Sequence, residues 1–245
     1  MTFTTELVDL ALARHGGAER WERAESITAQ VHVYGAFWPY KGGPGLLGFE
    51  TVTAELKRQR ISMRPFGEGR TLSFDAGEDL VTITDVDGVV VDRLSHPRAS
   101  MAGYQLDTTW SPTQIGYFIS YATWMYLVEP FLCKLSGVKS REIEPWEEDG
   151  ETWRRLELTF PDTIASHSTV QTYYFDSESG LQRRMTYDVE VNGKAKVAHY
   201  TSEHKDFDGL IVPTRRRVLL RDGHDIADHS SAAILLDLDD VQLHA

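Results

Sequence analysis

The chain has 245 residues, and its 41% hydrophobic and 11% aromatic fractions are enough to build a sizeable core. Its 37 acidic against 25 basic side chains leave a formal charge of −12, which repels a phosphate backbone and argues against nucleic acid as a partner. Cys133 is the single cysteine, so an internal disulfide and a cysteine-rich metal site are excluded, and no metal site is expected elsewhere.

Thr4 to His15 reads as a capped amphipathic helix with apolar Leu7, Leu10 and Ala11, closed by Gly16-Gly17, and a short second turn spans Ala18 to Ala24. The opening segment lacks the basic leader and small-residue cleavage site of a secretory signal, so a cytoplasmic location is expected. From Glu25 the period changes to two, with Ile27, Ala29, Val31 and Val33 on one face of a strand. The segment Phe37 to Gly48, FWPYKGGPGLLG, lacks the Gly-Lys-Ser/Thr ending of a phosphate loop and reads as a lid or irregular connection. Arg58 and Arg60 share the parity of Val52, Ala54 and Leu56. A regular strand would aim them inward as ligand anchors, whereas a bulge before Ile61 and Met63 would turn them outward.

Five Asx-Gly pairs, Asp87-Gly88, Asp149-Gly150, Asn192-Gly193, Asp208-Gly209 and Asp222-Gly223, mark tight turns, because both turn positions need positive φ. Hairpins are expected over 79 to 94, 142 to 160, 182 to 203 and 211 to 237. No linker interrupts them. The expected architecture is a single α+β domain over 1–245, a curved antiparallel sheet wrapped around helices.

Between the hairpins lies TTWSPTQIGYFISYATWMYLVEPF, a helix with Ser111 as cap, Pro112 in the first turn and Gln114 completing a capping box. At helical spacing Ile115, Phe118, Ala122 and Met125 form a core stripe, and Gln114, Tyr117, Tyr121 and Trp124 form a polar-tipped stripe beside it. Gln114, Ser120, Thr123 and Glu129 interrupt the segment, so no membrane span is expected.

A two-residue turn at Asn192-Gly193 would pair Val191 with Lys194, and hence Thr186 with His199 and Arg184 with Thr201. Tyr174, Met185, Tyr187 and Tyr200 then share an apolar face opposite the helix stripe, and His167, Gln171, Tyr173, Arg184, Asp188 and His199 share a polar one. The apolar face with Tyr117, Tyr121 and Trp124 would enclose a pocket for an aromatic or lipid-like molecule, or else pack without a void. His199 with Asp188 diagonal to it has the makings of a general base held by an acid, and an ordinary solvated sheet face reads the same way. His199 and His204 differ in parity and cannot ligate together; His224, Asp225, Asp228 and His229 have no ligand spacing. There is no Gly-x-Ser-x-Gly, His-Glu-x-x-His or Gly-x-Gly-x-x-Gly, and no cofactor is expected.

The segments HGGAERW, YATWMYL, YYFDSESGLQRRMTYDV and YTSEHKDFDGLIVPTRRRV, with the inserted apolar helix between hairpins, resemble the LolA-like half-barrel superfamily of lipoprotein and lipid carriers. The likeness is nearest to uncharacterised bacterial, often actinobacterial, members without a signal peptide. It implies an unclosed β-barrel whose concave face, plugged by helices, holds a hydrophobic ligand, and it carries over no catalytic residue.

The leading expectation is therefore a binder of a small hydrophobic, aromatic or lipid-like molecule. Its ligand residues would be Tyr117, Tyr121, Trp124, Tyr174, Met185, Tyr187 and Tyr200, with Arg58 and Arg60 as anchors. The rival is a cofactor-independent lyase, isomerase or cyclase acting on a phenolic or polyketide-like substrate, with Tyr117, Tyr121, Tyr187 or His199 in acid-base roles. A structural module forming a homodimer through its hairpin edges is the third reading.

Overall fold

The computed structural model describes residues 6–245; the expected helix cap at Thr4 lies outside them. Two short helices, α1 (Glu6–Arg14) and α2 (Ala18–Arg23), lead into β1 (Ser26–Tyr34). After α3 (Phe37–Tyr40) the chain meanders through β2 (Phe49–Glu55), β3 (Arg60–Phe66), β4 (Arg70–Asp75), β5 (Leu80–Thr84) and β6 (Val90–Ser95). The helices α4 (Pro97–Ser100) and α5 (Pro112–Val128) follow. A second meander then runs through β7 (Lys139–Glu148), β8 (Glu151–Thr159), β9 (Val170–Asp176), β10 (Gln182–Val189), β11 (Ala195–Phe207), β12 (Leu210–Leu220) and β13 (Ile234–His244).

All 13 strands form one antiparallel sheet in the order β6-β5-β4-β3-β2-β1-β13-β12-β11-β10-β9-β8-β7. The two meanders are joined where β1 pairs with β13, and β6 and β7 are left as unpaired edges, so the barrel is not closed. This is an α+β half-barrel. Its topology gives α5 its place: the chain ends β6 at one edge and must begin β7 at the other, and a helix of 17 residues, about 25 Å long, crosses the concave side between them.

The start of α5 matches the sequence pattern. Ser111 accepts from the Gln114 amide, the Gln114 side chain returns to the Ser111 amide, and Pro112 needs no partner for its missing N–H. Two stripes were expected, yet every residue from Thr113 to Val128 is buried. The sheet curves around the helix, with β3 to β6 and α4 on one side, so no face is left for solvent. Gly116 lets the helix approach β4: a Cβ there would stand 2.5 Å from Leu72 Cδ1. Packed against β8, α1 buries Leu7, Val8, Ala11 and Leu12, and Trp21 of α2 stacks on Phe131 at 4.5 Å.

Two of the five Asx-Gly signals form the expected two-residue turns. Glu148 pairs with Glu151 around Asp149-Gly150 and Phe207 with Leu210 around Asp208-Gly209, all four turn residues having positive φ. Asn192-Gly193 behaves differently. Val189 pairs with Ala195, so the connection is five residues, Glu190 to Lys194, with Lys194 donating back to Val189. The expected pairing of Thr186 with His199 is thereby corrected: Met185 faces His199, Tyr187 faces Val197 and Arg184 faces Tyr200. A bulge between Gln182 and Arg184 shifts β9 in the same manner, so that Met185 faces Tyr173 and Arg184 faces Tyr174. Each one-residue slip turns a whole strand over.

Candidate functional site under the aromatic helix

With both neighbours of β10 turned over, the concave face carries Tyr173, Met185, Tyr187, His199 and Arg216, all buried. Tyr174, Arg184 and Tyr200 lie on the convex face instead. There the Arg184 guanidinium is 5.1 Å from the Tyr174 ring, 5.2 Å from Tyr200 and 5.3 Å from Trp146, and it pairs with Glu148 at 2.6 Å. This is a structural stack that seals the convex side, and it takes Tyr174 and Tyr200 away from the inner wall. Asp188 is also convex and engages Arg221 at 2.7 Å and Lys196 at 3.4 Å, so the expected juxtaposition of His199 with Asp188 does not exist.

Inside, α5 and the sheet share a chain of phenols and imidazoles. Tyr121 Oη lies 3.2 Å from His167 Nδ1, and Tyr126 Oη lies 3.0 Å from His167 Nε2 and 3.3 Å from Tyr187 Oη. Tyr187 Oη in turn lies 3.4 Å from His199 Nδ1, and its ring stacks on His167 at 4.0 Å. Burial, with the Arg98 charge adding to it, pushes the His167 imidazole down to about 3, and burial holds His199 well below the ordinary imidazole range. Burial likewise raises Tyr121, Tyr126 and Tyr187. The chain is therefore neutral throughout. A neutral imidazole donates from one nitrogen and accepts at the other, so of Tyr121 and Tyr126 one donates to His167 and the other accepts from it.

At the far end of the same cluster, Arg216 and Glu129 form a fully buried ion pair at 3.0 Å. Arg216 also donates to Tyr126 O, lies 4.6 Å over the Tyr126 ring, and shares Glu129 with Gln182. Of the three consecutive arginines, Arg216 faces inward and Arg215 pairs outward with Glu203 and Asp237.

Two cavities open on either side of this chain. One, about 500 Å³, lies between the ends of β10 to β13 and the α3 segment, with Phe37, Tyr40, Phe118, Tyr187, Val197 and Val218 among its walls. Its lining is predominantly apolar, and Tyr187 joins it to the buried chain. The other, about 440 Å³, is polar, flanked by Asp79, Arg98 and Glu190, and reaches Tyr117. Arg98 is already held there by Glu190 and donates to Ser166 O.

The expected site residues thus separate. Tyr187 lines the apolar cavity, Met185 is buried beside it in the ladder, and Tyr117 lines the polar one. Tyr121 lies between the two on His167. Trp124 points to the β2–β3 side and donates Nε1–H to Glu55 O at 2.7 Å. Arg58 and Arg60 sit in and after the tight turn joining β2 to β3, exposed and paired with Glu55 and Asp75. Glu55 pairs with Arg60, so both point to the convex side and neither arginine anchors anything on the concave face.

Reading the sequence alone missed His167, Tyr126 and Lys41. Strand parity puts His167 on the polar sheet face, but it precedes β9 in an irregular segment where that parity does not hold. Lys41 had a signal: it is the single cation within FWPYKGGPGLLG.

No family model matches the chain, and no curated protein sequence does. Solved structures do. The chain is similar to a LolA superfamily protein from Nitrosomonas europaea, with a TM-score of 0.53 at 10% identity over 100% of this chain and 95% of that one. It is equally similar to a domain from Vibrio parahaemolyticus described as outer membrane lipoprotein-sorting, with a TM-score of 0.53 at 10% identity over 97% and 91% of the two chains. At this identity the likeness is one of fold, and it agrees with the strand order found here: the chain has the LolA-like half-barrel fold.

Proposed function

We propose that the chain binds a small hydrophobic, aromatic or lipid-like molecule in the concave face of the half-barrel. The observation that carries this reading is the predominantly apolar cavity of about 500 Å³, within the range of small-molecule sites and walled mainly by aliphatic and aromatic side chains with a few polar ones among them. An apolar occupant would cover the walls made by Phe118, Val197 and Val218 and remove them from the water that fills an open cavity. The shared fold with a lipoprotein-sorting domain supports the same reading.

A cofactor-independent lyase, isomerase or cyclase is the second reading, favoured by Tyr187, a residue of the cavity wall whose hydroxyl lies 3.4 Å from His199 Nδ1. Burial works against it. It raises Tyr187 and lowers His199, moving both away from the neutral range where acid-base exchange is efficient.

Native mass spectrometry of the protein as purified tests the binding reading. Apolar adducts released by organic extraction are expected; a bare mass together with no uptake of a hydrophobic dye would overturn it.

A further inference from the structure

Lys41 is the one charged residue lining the apolar cavity, and no carboxylate lines it. The side chain is fully buried. Its ammonium donates to Leu106 O at 2.6 Å and Thr108 O at 3.0 Å, which leaves one of its three protons unassigned, and it has no salt-bridge partner among the described residues. The Trp110, Tyr40 and Phe37 rings stand 4.8, 5.5 and 5.8 Å from it. Asp107 is the charged group that acts on it, at longer range. A buried cation without a counter-ion is costly, because rings and carbonyls replace only part of the lost hydration. Tyr187 and Ser231 add hydroxyls to the wall.

We infer that the occupant is an amphiphile bearing a single carboxylate, its apolar body against Phe118, Val197 and Val218 and its head at Lys41. This rests on the binding reading above and narrows it to hydrophobic carboxylic acids. The anion supplies the missing counter-charge, and the third ammonium proton supplies its hydrogen bond. Tyr40 and Leu106, both half or more exposed, flank the buried Lys41 in the cavity lining and mark its solvent side. Burial lowers the Lys41 ammonium to about 8, and a bound carboxylate would raise it again.

The test compares dodecanoate, 1-dodecanol and dodecylamine, which share a chain and differ in head, by calorimetric titration below their aggregation concentrations. At about pH 7 dodecanoate should bind roughly tenfold or more tighter than the alcohol, and the amine weaker than both. In Lys41→Met the preference for dodecanoate over the alcohol should vanish. In the unmutated protein the preference should also shrink between about pH 7 and about pH 10, a readout that does not depend on the variant folding. Equal binding of acid and alcohol, or a preference unchanged in Lys41→Met and at high pH, overturns the inference and leaves the hydrophobic site standing. Binding of none of the three overturns both.

Discussion

His167 holds the interior together at the scale of single side chains. Both of its ring nitrogens are satisfied by phenols from α5, and its face is covered by Tyr187. Removing the Tyr126 hydroxyl leaves His167 Nε2 and Tyr187 Oη short of a partner in a dry interior. Tyr126→Phe should therefore cost about 1–3 kcal/mol, read from chemical denaturation. The same burial makes a pH prediction. His15 and His167 sit at about 4 and about 3 when folded, below the ordinary 6.5, so the unfolded chain takes up protons first as pH falls. Their stabilisation is complete above pH 6.5 and is lost as pH falls toward their folded values. Buried Glu50, raised to about 7 from 4.5, has the opposite sign: its contribution is complete below 4.5 and is lost as pH rises toward 7. Between 4.5 and 6.5 the lowered imidazoles of His15, His167, His199 and His204 outnumber the raised carboxyls of Glu50 and Glu129, so stability should rise with pH. Denaturation midpoints that stay flat over that window would contradict this account of the buried histidines.

Among the elements, α5 is where sequence and structure agree best. Ser111, Pro112 and Gln114 announce its start through local hydrogen bonds that need no tertiary knowledge. Its complete enclosure was not legible, because the stripe of Tyr117, Tyr121 and Trp124 reads alike whether the opposite wall is sheet or solvent. The wall itself was misread for a specific reason. Asn192-Gly193 has the composition of a two-residue turn but sits inside a five-residue connection, and Arg183 lies in a bulge that no composition marks. Those two slips exchanged Tyr174 and Tyr200 for Tyr173 and His199 on the concave face. Two predictions belong to this scale. Gly116→Ala, stabilising in an exposed helix, should instead cost about 1–3 kcal/mol, because the added methyl meets Leu72 and Val81 in a filled interior. Breaking the ion pair that ties the end of α5 to β12 with Arg216→Met should cost about 3–5 kcal/mol by stranding Glu129, whereas Arg216→Met with Glu129→Leu should cost less than the two single changes summed.

The whole molecule follows from two meanders joined at β1 and β13, a connection that forces the chain between the two free edges to cross the concave side. The Asx-Gly pairs and the inserted helix made a curved antiparallel sheet around a helix legible, and the resemblance supplied its unclosed form; the join of β1 to β13, more than 200 residues apart in the chain, was not legible, since no local signal encodes it. The curved sheet is filled by α5 along most of its length and left open where β10 to β13 meet the α3 segment, and that opening is the proposed ligand site. Titration of 1-dodecanol into the unmutated protein and into Val197→Trp, whose indole would occupy the cavity, tests this most directly. Saturable one-site uptake with a negative heat-capacity change is predicted for the former, and its loss with an unchanged far-ultraviolet spectrum for the latter. No saturable uptake by the unmutated protein, or equal uptake by both, would contradict it.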